Sequence, residues 1–231
     1  RGPFTVETPA VVRARAFAAT GTDLFGVQAA FTAPPRPIIE NFEKTAIGER
    51  ATGASTQEED TVHTVRVSAD HAASGKRSLK FNDGPGQKQP YNPHVFYRIK
   101  VEAGVATGRF SILLDGNTTL SYQWRQYEGG GFCRGPAFQI NPGGKLAGEG
   151  LPDVQLPIGE WVHVEVSCRL GTPQPTSYTL RVDVPEQAPV EMADLPCEPK
   201  FRRLDWVGFV ANGNRETTFY VDDIAIEFDE E

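Results

Sequence analysis

The chain is predicted to be an all-β protein built as a two-sheet sandwich, on three observations. Short segments of alternating apolar and polar residues recur along most of its length, with turn residues between them. Gly 23 and Pro 18 among 231 residues suit a strand-and-turn chain. No long stretch keeps the helical period; the segment most able to form a helix, Ala10 to Ala19, reads equally well as a strand.

The elements follow in order. Residues 1–37 form an N-terminal extension: Thr5 to Ala18 and Phe25 to Thr32 read as two strands joined through Ala19 to Asp23. Ala33-Pro34-Pro35-Arg36-Pro37 reads as a stiff, polyproline-like linker. The extension is either the tail of a preceding domain or an extra strand pair, and the main domain spans 38–231. Val62 to Val67 alternates, and Ser78 to Asn82 is a short strand before the turn Asn82-Asp83-Gly84-Pro85-Gly86. Val95 to Val101 and Gly108 to Leu114 come next, then a hairpin-like Asp115-Gly116-Asn117 and Thr119 to Tyr127. Gly129-Gly130-Gly131 breaks that run. Pro136 to Ile140, Trp161 to Cys168, Ser177 to Val184, Leu204 to Val210 and Thr217 to Phe228 complete the set. In Trp161 to Cys168 the residues Val162, Val164, Val166 and Cys168 share the core face, since side chains alternate across a strand. Leu204 to Val210, with Trp206, reads mostly as core.

Hydrophobic residues at 39% allow a sizeable core. The net charge of −7 argues against nucleic-acid binding through a basic surface. No apolar run reaches the roughly twenty residues that span a bilayer. The chain opens Arg1-Gly2-Pro3-Phe4, which reads as a processed piece of a longer protein. Cys133, Cys168 and Cys197 match no metal-binding spacing; a Cys168–Cys197 disulfide with Cys133 free and three reduced thiols are both compatible with them.

Within the last segment, alternation places Tyr220, Asp222, Ile224 and Ile226 on one face, apolar except for Asp222. Asp222 then either caps a turn at the strand entry or serves as an oxygen ligand, because a lone carboxylate on a core face needs a cation or several donors. Asn41-Phe42-Glu43 near the front, Ser74-Gly75-Lys76-Arg77-Ser78-Leu79-Lys80-Phe81 in the middle and Tyr220-Val221-Asp222-Asp223-Ile224-Ala225-Ile226-Glu227 at the end together resemble the jelly-roll β-sandwich modules of secreted carbohydrate-active enzymes. Carbohydrate-binding modules and concanavalin A-like domains belong to that group. The resemblance covers residues 38 to 229 and implies a concanavalin A-like jelly roll in a secreted or periplasmic protein. It also implies a structural calcium ion at one edge, held by Glu43, the Lys76 carbonyl and Asp222, with Glu40 and Asp223 as substitutes after a shift in register. Glu40-Asn41-Phe42-Glu43 departs from the aspartate that many relatives carry before the phenylalanine.

No catalytic motif is visible. Jelly-roll glucanases set their carboxylates on alternate residues of one strand, whereas Glu7, Glu40, Glu43, Glu149, Glu160 and Glu165 stand apart. Glu58-Glu59-Asp60 reads as a solvated charge run. The motifs of jelly-roll alginate lyases, a nucleophile elbow, a zinc-binding helix and a phosphate loop are all missing. Sugar binding asks instead for aromatic faces beside planar hydrogen-bonding groups. Tyr91 to Arg98 and Ser121 to Tyr127 supply both. His94, Tyr97, Arg98, Gln123, Trp124, Arg125 and Tyr127 are the candidate ligand-binding residues, with Trp124 readable equally as core. An outward Gln123, Arg125 and Tyr127 row suits an acidic or sulfated sugar, because the guanidinium fork matches carboxylate and sulfate.

The function expected is non-catalytic polysaccharide binding by an accessory module of a larger secreted carbohydrate-active protein. Its partners are the polysaccharide and the other domains of its own chain. One rival is a purely structural domain whose polar face is covered by a neighbour. The other is a hydrolase or lyase drawing on His94, Tyr97, Arg125 and Tyr127.

Overall fold

The computed structural model describes residues 10–17, 23–31, 35–171 and 176–229, which divide into two compact units, 1–35 and 36–231. The first unit holds an antiparallel pair, β1 (Ala10–Phe17) and β2 (Asp23–Phe31), in register from Ala10 opposite Phe31. The expected start of a strand at Thr5, the join at 19–22 and part of the proline linker lie outside the described residues.

The second unit is a two-sheet jelly roll. Its chain order begins β3 (Ile38–Glu40), β4 (Ser55–Gln57), β5 (Val65–Ser68), β6 (Ser78–Asp83), β7 (His94–Val101), β8 (Gly104–Leu113) and β9 (Leu120–Glu128). It continues with β10 (Gly131–Asn141), β11 (Lys145–Ala147), β12 (Trp161–Leu170), β13 (Ser177–Asp183), β14 (Val190–Pro196), β15 (Leu204–Ala211) and β16 (Thr217–Asp229). One sheet has six strands in the order β11-β10-β9-β15-β7-β4. The other has eight, β14-β13-β12-β8-β16-β6-β5 with β3 beside β16. Every strand pairing is antiparallel. The described residues contain no helix, hence none long and apolar enough to cross a membrane.

Period-2 alternation builds the core between the sheets. β12 buries Val162, Val164, Val166 and Cys168, as its pattern predicts. From the facing sheet come Tyr122, Trp124, Phe138 and Phe209, all buried. Phe110 of the eight-stranded sheet meets Tyr122 and Phe209, each at 4.9 Å between ring centres. The Trp124 indole N–H donates to the Tyr122 hydroxyl at 2.8 Å. Gly108 lets both rings come this close: a Cβ there would lie 2.6 Å from the Tyr122 oxygen and 3.1 Å from the indole.

The last strand departs from strict alternation. Its pairing with β8 slips between Asp222 and Ala225, and Asp223 adopts φ 49. Before this bulge Val221 opposes Ile112 and points into the core, which leaves Tyr220 and Asp222 on the outer face; after it Ile224 and Ile226 are core. The expected shared face of Tyr220, Asp222, Ile224 and Ile226 is therefore corrected: one extra residue reverses side-chain direction. Asp222 is nonetheless fully buried, because the segment 70–75 folds over it.

Glu58 and Glu59 do not form a solvated run. The Glu58 side chain is 5% exposed and accepts from Arg66 at 2.6 Å and from Arg50. Burial opposes its charge, but these arginines and the Val65 N–H outweigh it and hold the carboxyl near about 2. Glu59 accepts from the Lys88 and Gln89 N–H groups, at 2.7 and 2.8 Å, and so ties down the segment before β7.

The three cysteines are free thiols. Cys168 and Cys197 are buried together beside the start of β13, where Cys168 donates to the Ser177 carbonyl at 3.5 Å and Cys197 N–H to the Thr176 carbonyl at 3.1 Å. A hydrogen bond between the Cys168 and Cys197 thiols, together with burial, pushes the Cys168 thiol far above its ordinary range.

At the end of β6, buried Asp83 accepts from the Gly84 and Gly213 N–H groups at 2.7 and 2.8 Å, fastening the segment between β15 and β16. Burial pushes its carboxyl up to about 6; Glu216 adds to the rise and His63 opposes it. A folded-state value above the unfolded one means that the native state binds more protons through that window. Stability then falls as pH rises through about 6. Tm is accordingly expected to increase from pH 7 to pH 5. Asp83→Asn loses one acceptor, so it should lower Tm overall while flattening that slope. An unchanged slope in a pH series of thermal melts would refute the assignment.

Candidate functional site

The outer face of the six-stranded sheet is built by register. β7 sends His94, Phe96 and Arg98 outward, β15 sends Val210, Gly208 and Trp206, and β9 sends Ser121, Gln123, Arg125 and Tyr127. Phe132 and Arg134 of β10 stand opposite Tyr127 and Arg125. Phe96, Trp206 and Val210 form a small apolar cluster separate from the main core. The Trp206 indole lies flat across Gly208, where a Cβ would come within 2.2 Å of the ring. It stacks on Phe96 with ring centres 5.4 Å apart.

Arg125 is the centre of this face. Its guanidinium carbon lies 3.9 Å from the Trp206 ring centre and 4.3 Å from that of Phe132. Its Nε and Nη2 donate to the Gln123 carbonyl oxygen at 3.1 and 2.8 Å. Two aromatic faces and one amide thus hold the cation in a single orientation, half-exposed at the surface. Arg98 is exposed and passes over Phe96 at 5.5 Å.

His94 lies nearby. Its Nδ1 is 3.0 Å from the Tyr91 carbonyl and 3.1 Å from Asn92 Oδ1, two acceptors that assign the proton to Nδ1. Burial, with Arg125 adding to it, lowers the imidazole below its ordinary value, so the ring is neutral at pH 7 with Nε2 as an acceptor. Tyr91, Tyr127 and Phe132 are the exposed aromatic rings of this region. Tyr127 is fixed through its backbone: its N–H donates to Asp205 at 2.7 Å and its carbonyl accepts from Arg203 at 2.6 Å.

Five of the seven expected binding residues therefore share one face: His94, Arg98, Gln123, Arg125 and Tyr127. Tyr97 and Trp124 point the other way, into the core, 1% and 0% exposed. They are corrected to packing residues, out of reach of a ligand on the sheet. Tyr97 precedes outward Arg98, and Trp124 precedes outward Arg125, so alternation assigns both inward. Trp206 is the reverse case. A register shift between Leu204 and Trp206 turns its ring outward although Leu204, two residues before, is core. Phe96 follows the parity of His94 and Arg98, a signal that was present in the sequence.

At the opposite sheet, the expected metal residues meet one turn. Glu43 Oε1 accepts from the Lys76 and Arg77 N–H groups at 2.7 and 2.8 Å. Asp222 Oδ2 accepts from Ala73 N–H at 2.8 Å and Ser74 N–H at 3.3 Å, and Asp222 Oδ1 from Asp223 N–H at 2.8 Å. The Ser74 hydroxyl donates to Asp223. Burial still pushes the Asp222 carboxyl up to about 6, with Asp223 adding to the rise and the amides opposing it. The substitute Glu40 lies instead against Gly53. Among the described residues no group of three or more His, Cys, Asp or Glu side chains is placed to hold a metal ion. These carboxylate oxygens already accept backbone N–H groups, so a calcium ion at this turn would need further oxygen ligands from backbone carbonyls.

No protein-family model matches the chain, and neither does any curated protein sequence. Solved structures do match. The endo-β-1,4-glucuronan lyase from Trichoderma reesei aligns with a TM-score of 0.57 at 9% identity, over 83% of this chain and 95% of that one. A mutant of alginate lyase Aly36B in complex with alginate trisaccharide aligns at 0.52 and 12%, over 86% and 100%. The marine PL-14 alginate lyase from Aplysia kurodai aligns at 0.51 and 9%, over 71% and 87%. At such identities the likeness establishes the jelly-roll fold.

Proposed function

We propose that the outer face of the six-stranded sheet binds a polysaccharide bearing acidic groups, and that the chain does so as a non-catalytic module of a larger exported carbohydrate-active protein. The observation that carries this is Arg125, held rigid between Trp206 and Phe132 and by Gln123. A preorganised guanidinium meets a carboxylate or sulfate with little loss of side-chain freedom. Tyr127 and Phe132, 43% and 48% exposed, offer ring faces beside it for the C–H surface of a sugar. The structural neighbours named as lyases of glucuronan and alginate support an acidic polymer as the ligand. Bound in this way, the polymer is kept at a high effective concentration for a catalytic domain in the same chain. A glycan array of neutral, acidic and sulfated polysaccharides tests this: acidic hits that disappear in Arg125→Ala are expected. Silence across the array would leave a structural domain whose polar face another domain covers.

His94 favours a second reading, β-elimination of a uronate polymer. Its neutral imidazole lies within electrostatic reach of Arg125. Arg125 would neutralise the uronate carboxylate, His94 Nε2 would remove the proton next to it, and water would protonate the leaving oxygen; Tyr127 stands six residues, about 20 Å, along β9 from Ser121, the residue level with His94, and takes no part. Tyr97 takes no part because it is buried. The ultraviolet absorbance of unsaturated products reads this reaction directly; activity that His94→Ala abolishes while binding persists would replace the binding reading.

The turn at 73–77 is proposed to hold a structural calcium ion through Glu43, the Lys76 carbonyl and the Asp222–Asp223 pair. Calcium binding only the native state raises Tm. Chelator is therefore expected to lower Tm, calcium to restore it, and Glu43→Ala to abolish the difference. Identical melts with and without chelator would dismiss the ion.

A further inference from the structure

Beside Arg125 a cleft of about 240 Å³ opens between β9, β10 and β11, the size of one sugar ring. Gln123, Arg134, Gln139, Ala147, Glu149 and Glu198 line it. Gln123 is the wall shared with the Arg125 site, since its carbonyl oxygen takes both Arg125 hydrogen bonds. Gln123 and Arg125 are successive outward residues of β9, about 7 Å apart along the strand, so the cleft adjoins the Arg125 site on the scale of a neighbouring sugar unit.

The charges of the two places differ. At the first, Arg125 and Arg98 present positive charge to a ligand. In the cleft, Arg134 is already committed to Glu198 at 3.0 Å. Glu149 has no cation partner among the described residues and is exposed. One arginine against two glutamates leaves the cleft net negative. Carboxylates and glutamine carbonyls accept hydroxyl hydrogens but repel a second carboxylate. Ala137 and Ala147 add small apolar contacts for ring carbons.

We propose that this cleft is a subsite for an uncharged sugar unit, so that the recognised polymer alternates acidic with neutral residues. The inference rests on the binding reading above and specifies its ligand. A polymer charged on every unit places one carboxylate at Arg125 and the next against Glu149. An alternating polymer places hydroxyls there instead.

Calorimetric titration with three oligosaccharides of equal length tests it: a homopolymeric uronate, hyaluronan (alternating glucuronate and N-acetylglucosamine) and a neutral cello-oligosaccharide. Wild type is expected to bind the alternating probe at least about fivefold tighter than the homopolymer, the scale of one like-charge contact near a solvated surface. Glu149→Lys should erase or invert that preference, while Arg125→Ala should weaken both acidic probes. Equal or tighter binding of the homopolymer by wild type, or a preference that Glu149→Lys leaves intact, overturns the subsite and spares the binding reading. Silence on all three probes overturns both. Glu149 is exposed on an edge strand's connection, so its replacement leaves the core untouched.

Discussion

Arg125→Ala is expected to weaken binding of an acidic oligosaccharide by about 10- to 100-fold, the range spanned by losing one or two charge-assisted hydrogen bonds. Three parts of the geometry set the size of this effect. The guanidinium is stacked on Trp206 and Phe132, so little freedom is lost when a ligand arrives. Its bond to Gln123 uses Nε and Nη2, leaving Nη1 for an anion. The site is half-exposed, so the contact is partly screened, and affinity should fall further as salt is raised. Arg125→Lys separates charge from shape. A lysine keeps the charge but neither stacks as a plane nor presents a fork, so it should recover only part of the loss. Isothermal titration of the three proteins at two salt concentrations measures all of this. Full affinity in Arg125→Lys would reduce the arginine to a point charge, and full affinity in Arg125→Ala would remove it from the site.

The largest stability effect is expected at Trp124. Trp124→Ala should cost about 3–5 kcal/mol, as for other large aromatic side chains removed from a core. In a domain of this size that corresponds to a fall in Tm of about 10 °C. The indole is fully buried between the sheets, its N–H bonded to Tyr122 and its ring set against Gly108. Removal leaves a cavity and an unpartnered hydroxyl in a cluster that includes Phe110, Phe138 and Phe209. Trp206 makes the complementary case. It is also covered, but by Arg125 on the outer face rather than by the opposing sheet. Trp206→Ala should therefore lose more affinity and less stability than Trp124→Ala. Denaturant melts and titrations on the two variants distinguish the roles; a Trp124→Ala protein that melts like wild type would contradict its placement in the core.

The strands with clear alternation were legible before the structure. β12 and β13 bury the residues that their period assigns, because one face of each is in the core and register is then strongly specified. The short strands β3, β4 and β11 were not legible: three residues are too few for a period to show. β14 has a register shift against β13 and a residue of positive φ, Asp194, which together break its pattern. The outward Gln123, Arg125 and Tyr127 row was readable from β9 alone. Its aromatic support was not, because Trp206 comes from β15 and Phe132 from β10. Only strand order brings these to Arg125.

The sequence by itself determined the class of fold and which face of each regular strand is apolar, since both depend on local alternation and turn chemistry. The tertiary structure decided what local period cannot carry. A bulge at Asp222–Ala225 moved Asp222 off the core face, and another at Leu204–Trp206 moved an indole onto the outer one. Such a bulge adds one residue that no composition announces and reverses every side chain beyond it. The clamp on Arg125 and the turn that Glu43 shares with Asp222 are contacts between segments distant in sequence. They exist only after the sheets have formed, because pairing across strands is what sets their distances.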